Sequence, residues 1–220
     1  MYPTVISTVD VVLFTLKDAK LHVGLIQRDA DPYANSWALP GGYIHPQEDA
    51  TLEDTAQRIL RTKTDVQNMF VEQLGTVSGA DRDPRGWSIS VVYYALSQMQ
   101  NSEKVRLFSV DSLPDLAFDH KDIVAKAADR IRNKSYYSSL PVFLCGDTFT
   151  LPQLQAVYEI LLGEHVDKVT FRRKIMEMDI IEETGAMEPR TNHRPAKLMR
   201  VKPAFKNKLV LASRNLNCGG

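Results

Sequence analysis

From Val5 to Phe14 the chain is an almost unbroken run of β-branched and apolar residues, which predicts a strand. Asp18-Ala19-Lys20 breaks it as a turn, and Leu21 to Arg28 alternates apolar with polar, so the two runs predict a hairpin. The polar stretch Asp29 to Ser36 predicts a loop before Trp37-Ala38-Leu39-Pro40-Gly41-Gly42-Tyr43. Leu52, Ala56, Ile59 and Leu60 then recur at helical spacing and predict a helix over 50–63 with one apolar face. Two further strands, 70–77 and 87–96, flank a loop at 81–86, and a short strand is predicted over 105–108. Ile123, Ala127 and Ile131 mark one side of a helix over 119–133.

The stretch Asn133 to Leu140 is polar and aromatic with no clear period, so we place a domain boundary there, dividing the chain into 1–138 and 139–220. Beyond it the pattern changes. Thr150 is placed as an N-cap, and Pro152 fits a first helical turn. Leu154, Val157, Tyr158, Leu161 and Leu162 follow the spacing of an amphipathic helix, which Gly163 ends. A second helix is predicted over 166–178, with Phe171, Ile175 and Met178 facing a core. Short strands at 180–185 and 197–201 enclose a polar, basic loop at 188–195. Two short helices, a tight turn and a hairpin make a winged helix-turn-helix pattern.

The 220 residues carry 27 basic and 27 acidic side chains, so the average charge says nothing about partners. Its distribution says more: residues 185–214 hold eight Lys/Arg against one acidic residue, Glu188. Such a cluster fits contact with a polyanion, and on charge alone it fits a solvated strand as well. Cys145 and Cys218 have no CxxC partner, which argues against a zinc site or a disulfide framework. No basic segment followed by an apolar core opens the chain, and no apolar run is long enough to cross a bilayer. We therefore expect a cytoplasmic protein with no membrane partner.

Trp37-Ala38-Leu39-Pro40-Gly41-Gly42-Tyr43, a preceding hairpin, and a helix that holds Arg58 and closes at Thr64-Asp65-Val66 together resemble the Nudix family. Its box reads G-x5-E-x7-R-E-U-x-E-E-x-G-U, with U apolar, and implies a loop–helix–loop that holds divalent metals against a diphosphate. Gly42 and Glu48 fit the first two positions, and Arg58 fits the box arginine after two extra residues. Ile59, Thr62 and Lys63 stand where the family has three glutamates. A lysine there opposes metal binding, since like unit charges at roughly 4 Å and an effective dielectric of about 20 cost about 4 kcal/mol. The expectation is no metal, no catalytic residue and no hydrolysis by the usual route. A nucleotide diphosphate can still be held without metal. Gly41 and Gly42 let backbone come close to a ligand, and Arg28, Arg58, Arg82 and Arg85 are candidates to pair with phosphates. Tyr33, Trp37 and Tyr43 are candidates to stack on a base, although core packing explains such aromatics as readily.

In the second region Lys168, Thr170, Arg172, Arg173 and Lys174 lie on the second helix, as a recognition helix in a major groove requires. The loop residues Arg190, Thr191, Asn192, His193 and Arg194 are candidate wing contacts to a phosphate backbone or minor groove. Winged helices also mediate protein contacts, so this region alone leaves both readings open.

The degenerate box, the Phe118-Asp119-His120 segment before the last helix of the first region, and the winged helix resemble the Nudix-related transcriptional regulators of bacterial NAD metabolism. The resemblance implies an α+β chain, a Nudix α/β/α sandwich with a mixed sheet followed by a winged helix-turn-helix domain. It also implies a repressor of NAD biosynthesis or salvage genes, acting as a homodimer on double-stranded palindromic operator DNA and released by ADP-ribose or a related nucleotide, with no cofactor required. Two other classes stay open: an active ADP-ribose pyrophosphatase using Glu48, Asp49, Glu53 or Asp54 as displaced ligands, and a scaffold that uses neither site.

Overall fold

The computed structural model of the chain describes residues 4–67, 69–99, 102–188 and 195–212. Two compact units make up the chain, Met1–Ala128 and Asp129–Gly220. In the first, strands β1 (Ile6–Lys17) and β2 (Lys20–Gln27) form the expected hairpin. Lys17 pairs with Lys20 across a two-residue turn, and both Asp18 and Ala19 take left-handed backbone, with φ of 50° and 54°. Such a turn has the twist that antiparallel strands favour.

β1 is the centre of a mixed sheet. It runs parallel to β6 (Ser88–Leu96) from Ile6↔Ser88 to Phe14↔Leu96, and antiparallel to β2 and to β4 (Gly41–Tyr43). β3 (Trp37–Ala38) and β7 (Arg106–Ser109) join β2, and β5 (Val71–Gly79) lies beyond β6, with an irregularity between Gln73 and Gly75. A strand covered on both faces reads as a continuous apolar run, which is why β1 shows little alternation.

Val9, Val11 and Leu13 of β1 pack against Ala56, Ile59 and Leu60 of helix α1 (Leu52–Thr64), the face predicted from the spacing. Each Val, Leu or Ile among them contributes about 1.5–3 kcal/mol on full burial. Thr51 caps α1: it accepts a hydrogen bond from the Asp54 N–H at 3.2 Å, while Asp54 Oδ2 accepts from the Thr51 N–H at 2.8 Å. Asp65, with φ 60°, ends the helix. Asp10 points to the other face of β1, as strand alternation requires. There helix α2 (His120–Ser135) begins, with His120 Nε2 3.8 Å from the Asp10 carboxylate, so helices cover both faces of the sheet.

The second unit is built on helices α3 (Leu151–Leu162) and α4 (Lys168–Glu177) and the antiparallel pair β8 (Ile181–Met187) and β9 (Lys197–Val201). A short 3₁₀ turn, Leu140–Leu144, precedes them where no period is legible. Thr150 caps α3 in a reciprocal pair with Gln153, and Gly163 closes the helix at φ 73°. Leu154, Tyr158, Phe171, Ile175, Ile181 and Met199 share one core, with the Tyr158 and Phe171 rings edge to face at 5.2 Å. Phe149 and Met199 exchange two backbone hydrogen bonds, an isolated antiparallel bridge beside the hairpin.

Candidate functional site

In the first unit a cleft of about 800 Å³ opens above β1, β2 and β4, within the range of small-molecule sites. It collects seven of the nine ligand candidates: Arg28, Trp37, Gly41, Gly42, Tyr43, Arg82 and Arg85. Tyr33 is not among the lining residues. Its ring packs edge-on to Phe118 at 4.9 Å, and its backbone is left-handed at φ 65°. Arg58 is not in the cleft either. Its Nε and Nη2 donate to Asp49 at 2.8 and 2.7 Å, and Nη2 also donates to the Tyr43 carbonyl. Asp49 further accepts from the His45 N–H and the Thr55 hydroxyl. These bonds hold its carboxyl well below the usual carboxylate range, with the Arg58 hydrogen bond as the main cause. Arg58 thus ties the loop after β4 to α1. It acts through Asp49, and the neighbouring Glu48 stays exposed.

The cleft arginines are also largely engaged. Arg82 donates to both Asp119 oxygens, at 3.1 and 2.9 Å, and to Ser88 Oγ. Arg85 chelates Asp83 and reaches the Tyr43 hydroxyl at 2.8 Å. Arg28 braces the loop after β2 through the carbonyls of Pro32 and Ala30, and its guanidinium lies 4.9 Å above the Phe118 ring. Trp37 packs edge-on to Phe108, with Arg106 near the Trp37 ring.

Three cleft features were not drawn from sequence as ligand-side groups. Asp10 is buried, accepts the Ser90 hydroxyl at 2.6 Å, and leaves no room for a side chain at 41, since a Cβ there would sit 2.0 Å from its Oδ1. His120 Nδ1 accepts the Leu39 N–H at 3.0 Å, which places the ring proton on Nε2, facing Asp10. Burial pushes the His120 pKa down, against the pull of Asp10. Lys63, in the last turn of α1, donates from Nζ to the Gly41 carbonyl at 2.6 Å. Asp10 and His120 are 110 residues apart in sequence, so no local signal links them; Lys63 is visible in the box, but only as a departure from it.

In the second unit α4 presents two faces. Phe171, Lys174, Ile175 and Met178 recur at i, i+3, i+4 and i+7 and turn inward. Lys174 was expected to face DNA; it is instead 8% exposed, because it falls on this stripe and its aliphatic stem covers apolar surface. Val169, Arg172, Arg173 and Met176 form the opposite, exposed face. Val169 is 76% and Met176 48% exposed, apolar members that residue-type reasoning missed. Lys168 is exposed beside them, and Thr170 is half-buried, its N–H donating to the N-cap Asp167. The wing candidates Arg190, Thr191, Asn192, His193 and Arg194 lie outside the described residues.

Residues 6–127 match the NUDIX domain, and residues 141–201 match the NrtR DNA-binding winged helix domain. The ADPR responsive transcriptional repressor NtrR of Acinetobacter baylyi is 39% identical over 208 residues, 90% of this chain and 83% of that protein. Shewanella oneidensis NrtR, solved in complex with a 27mer DNA, superposes with a TM-score of 0.86 at 38% identity, covering 94% of this chain and 98% of the other. The NUDIX domain of the same Shewanella protein, solved with ADP ribose, is 39% identical with a TM-score of 0.55, covering 59% of this chain and 90% of that domain.

Proposed function

The chain belongs to the family of Nudix-domain proteins that carry an NrtR DNA-binding winged helix domain, and from that premise we propose that it is a DNA-binding transcriptional repressor that responds to ADP-ribose. The observation that carries this reading is the outward face of α4. It holds Arg172 and Arg173 clear of the core, in the same chain as a cleft of nucleotide size. On this reading residues 1–138 sense the nucleotide and residues 139–220 bind DNA. Two copies related by a two-fold axis read a palindrome, since one recognition helix spans only a few base pairs. The regulated genes are those of NAD biosynthesis or salvage, and the protein works in the cytoplasm, where that DNA is.

A mobility-shift titration on palindromic operator duplexes tests the reading. The protein should retard operator DNA, and ADP-ribose should release it. No shift with any candidate operator, or a shift that ADP-ribose at millimolar concentration leaves unchanged, would sink the proposal.

The protein acts without hydrolysing its effector. Divalent magnesium needs several hard oxygen donors in one place. Here the Gly41 carbonyl accepts from an ammonium, Asp49 is held by Arg58 and Asp54 by Thr51, and Ile59 and Thr62 bring no carboxylate. Among the described residues no cluster of three or more His, Cys, Asp or Glu has the arrangement of a metal site. These donors do not fit a divalent ion. ADP-ribose incubated with protein and Mg²⁺ should therefore remain intact by chromatography. Turnover above about 1 s⁻¹, the low end of ordinary enzymes, would overturn this.

A further inference from the structure

The cleft is rich in cations; three are already paired with carboxylates, and Arg28 is spent on the Pro32 and Ala30 carbonyls. Asp119 holds Arg82, Asp83 holds Arg85, and Asp65 holds Lys104. Arg106 sits against the Trp37 and Phe108 rings. Among the described residues Lys63 has no carboxylate within salt-bridge distance; its one hydrogen bond is the 2.6 Å contact to the Gly41 carbonyl. That carbonyl is fixed in place, because Gly41 is pinned against Asp10 and paired to it across β1 and β4.

We propose that the Lys63 ammonium binds the diphosphate of the effector directly, standing in for the divalent cation that this cleft cannot hold. The proposal rests on the ADP-ribose reading above and deepens it. An ammonium has three N–H donors; one is anchored on Gly41 and the other two can reach phosphate oxygens. Lys63 is exposed at the cleft, where an incoming anion can reach its Nζ, and desolvation by its neighbours sets its pKa below the ordinary lysine value. An ammonium also differs from a metal in a way that matters for a sensor. It offsets one of the two diphosphate charges but holds no water as a nucleophile, so the ligand is held and not cleaved.

Calorimetry on the full chain tests this with ADP-ribose in EDTA and in Mg²⁺. Wild-type affinity should be the same in both. Lys63→Gln, which keeps a donor to the Gly41 carbonyl but removes the charge, should weaken binding about tenfold or more, and Lys63→Arg should keep most of it. Lys63→Glu should bind feebly in EDTA and regain affinity with Mg²⁺, because a carboxylate beside the Gly41 carbonyl begins to supply a metal's oxygen ligands. Lys63→Gln within threefold of wild type would overturn the proposal. So would a Lys63→Arg protein as weak as Lys63→Gln, a wild type that needs Mg²⁺, or a Lys63→Glu protein indifferent to it. A wild type that gives no heat with ADP-ribose under either condition would instead refute the sensor reading itself.

Discussion

Replacing Arg58 with methionine is expected to destabilise the first unit by about 3–5 kcal/mol, and so to lower its melting temperature by on the order of 10 °C or more. The pair it breaks is buried, with side-chain exposures of 12% for Arg58 and 2% for Asp49. Truncating the arginine removes the main cause of the lowered Asp49 pKa and leaves the carboxyl in a site whose burial disfavours its charge. The two remaining donors to Asp49, the His45 N–H and the Thr55 hydroxyl, satisfy hydrogen bonds but bring no opposite charge. The Asp49→Leu/Arg58→Met double variant should lose much less than the two single losses summed, because no charge is then left alone. Thermal unfolding of the three variants measures this. If Arg58→Met melts within about 2 °C of wild type, the pair is not the brace between the β4 loop and α1.

Arg172→Ala and Arg173→Ala are each expected to cost about 1–3 kcal/mol on operator DNA and much less on random duplex. A recognition helix places its outward arginines at base edges, where the guanidinium bridges two guanine acceptors. Arg173 is available for this: its contact to Glu177 is 3.8 Å long and exposed on both sides, a kind of pair that contributes little. Lys174→Ala supplies the contrast. Its side chain is on the core stripe, so its loss should appear in the melting curve before it appears in the operator-to-random ratio. Fluorescence anisotropy on both duplexes decides the matter. Equal loss on operator and random DNA from both arginine variants would mean that the helix does not read bases.

The elements that the sequence made legible are those with a period. Ala56, Ile59 and Leu60 announce the buried side of α1, and Leu154, Tyr158 and Leu162 that of α3, because a helix that must bury one face repeats its apolar residues every 3.6 positions. The same rule places Lys174, three after Phe171 and one before Ile175, on the buried stripe despite its charge. The 3₁₀ turn at Leu140–Leu144 has too few residues to show a period at all. Within the cleft, arginines could be placed on the right loops but not assigned their partners. The Arg82–Asp119 pair spans 37 residues and the His120–Leu39 hydrogen bond 81, and such contacts exist only once the sheet has formed. Lys63 reads in sequence as an obstacle to metal; only its distance to the Gly41 carbonyl presents it as a ligand-side charge.

If α4 enters the groove as proposed, Val169 and Met176, exposed beside its two arginines, set a thermodynamic signature for the encounter with DNA. A face of arginines alone would bind mainly by releasing counterions, with affinity governed by salt. Two apolar side chains that leave water in the groove add a negative change in heat capacity. The enthalpy of operator binding then falls steadily as temperature rises, while random DNA, held by phosphate contacts, shows little such slope. Salt and temperature become separate handles on one helix face: salt weighs its charges, and temperature weighs its methyl groups.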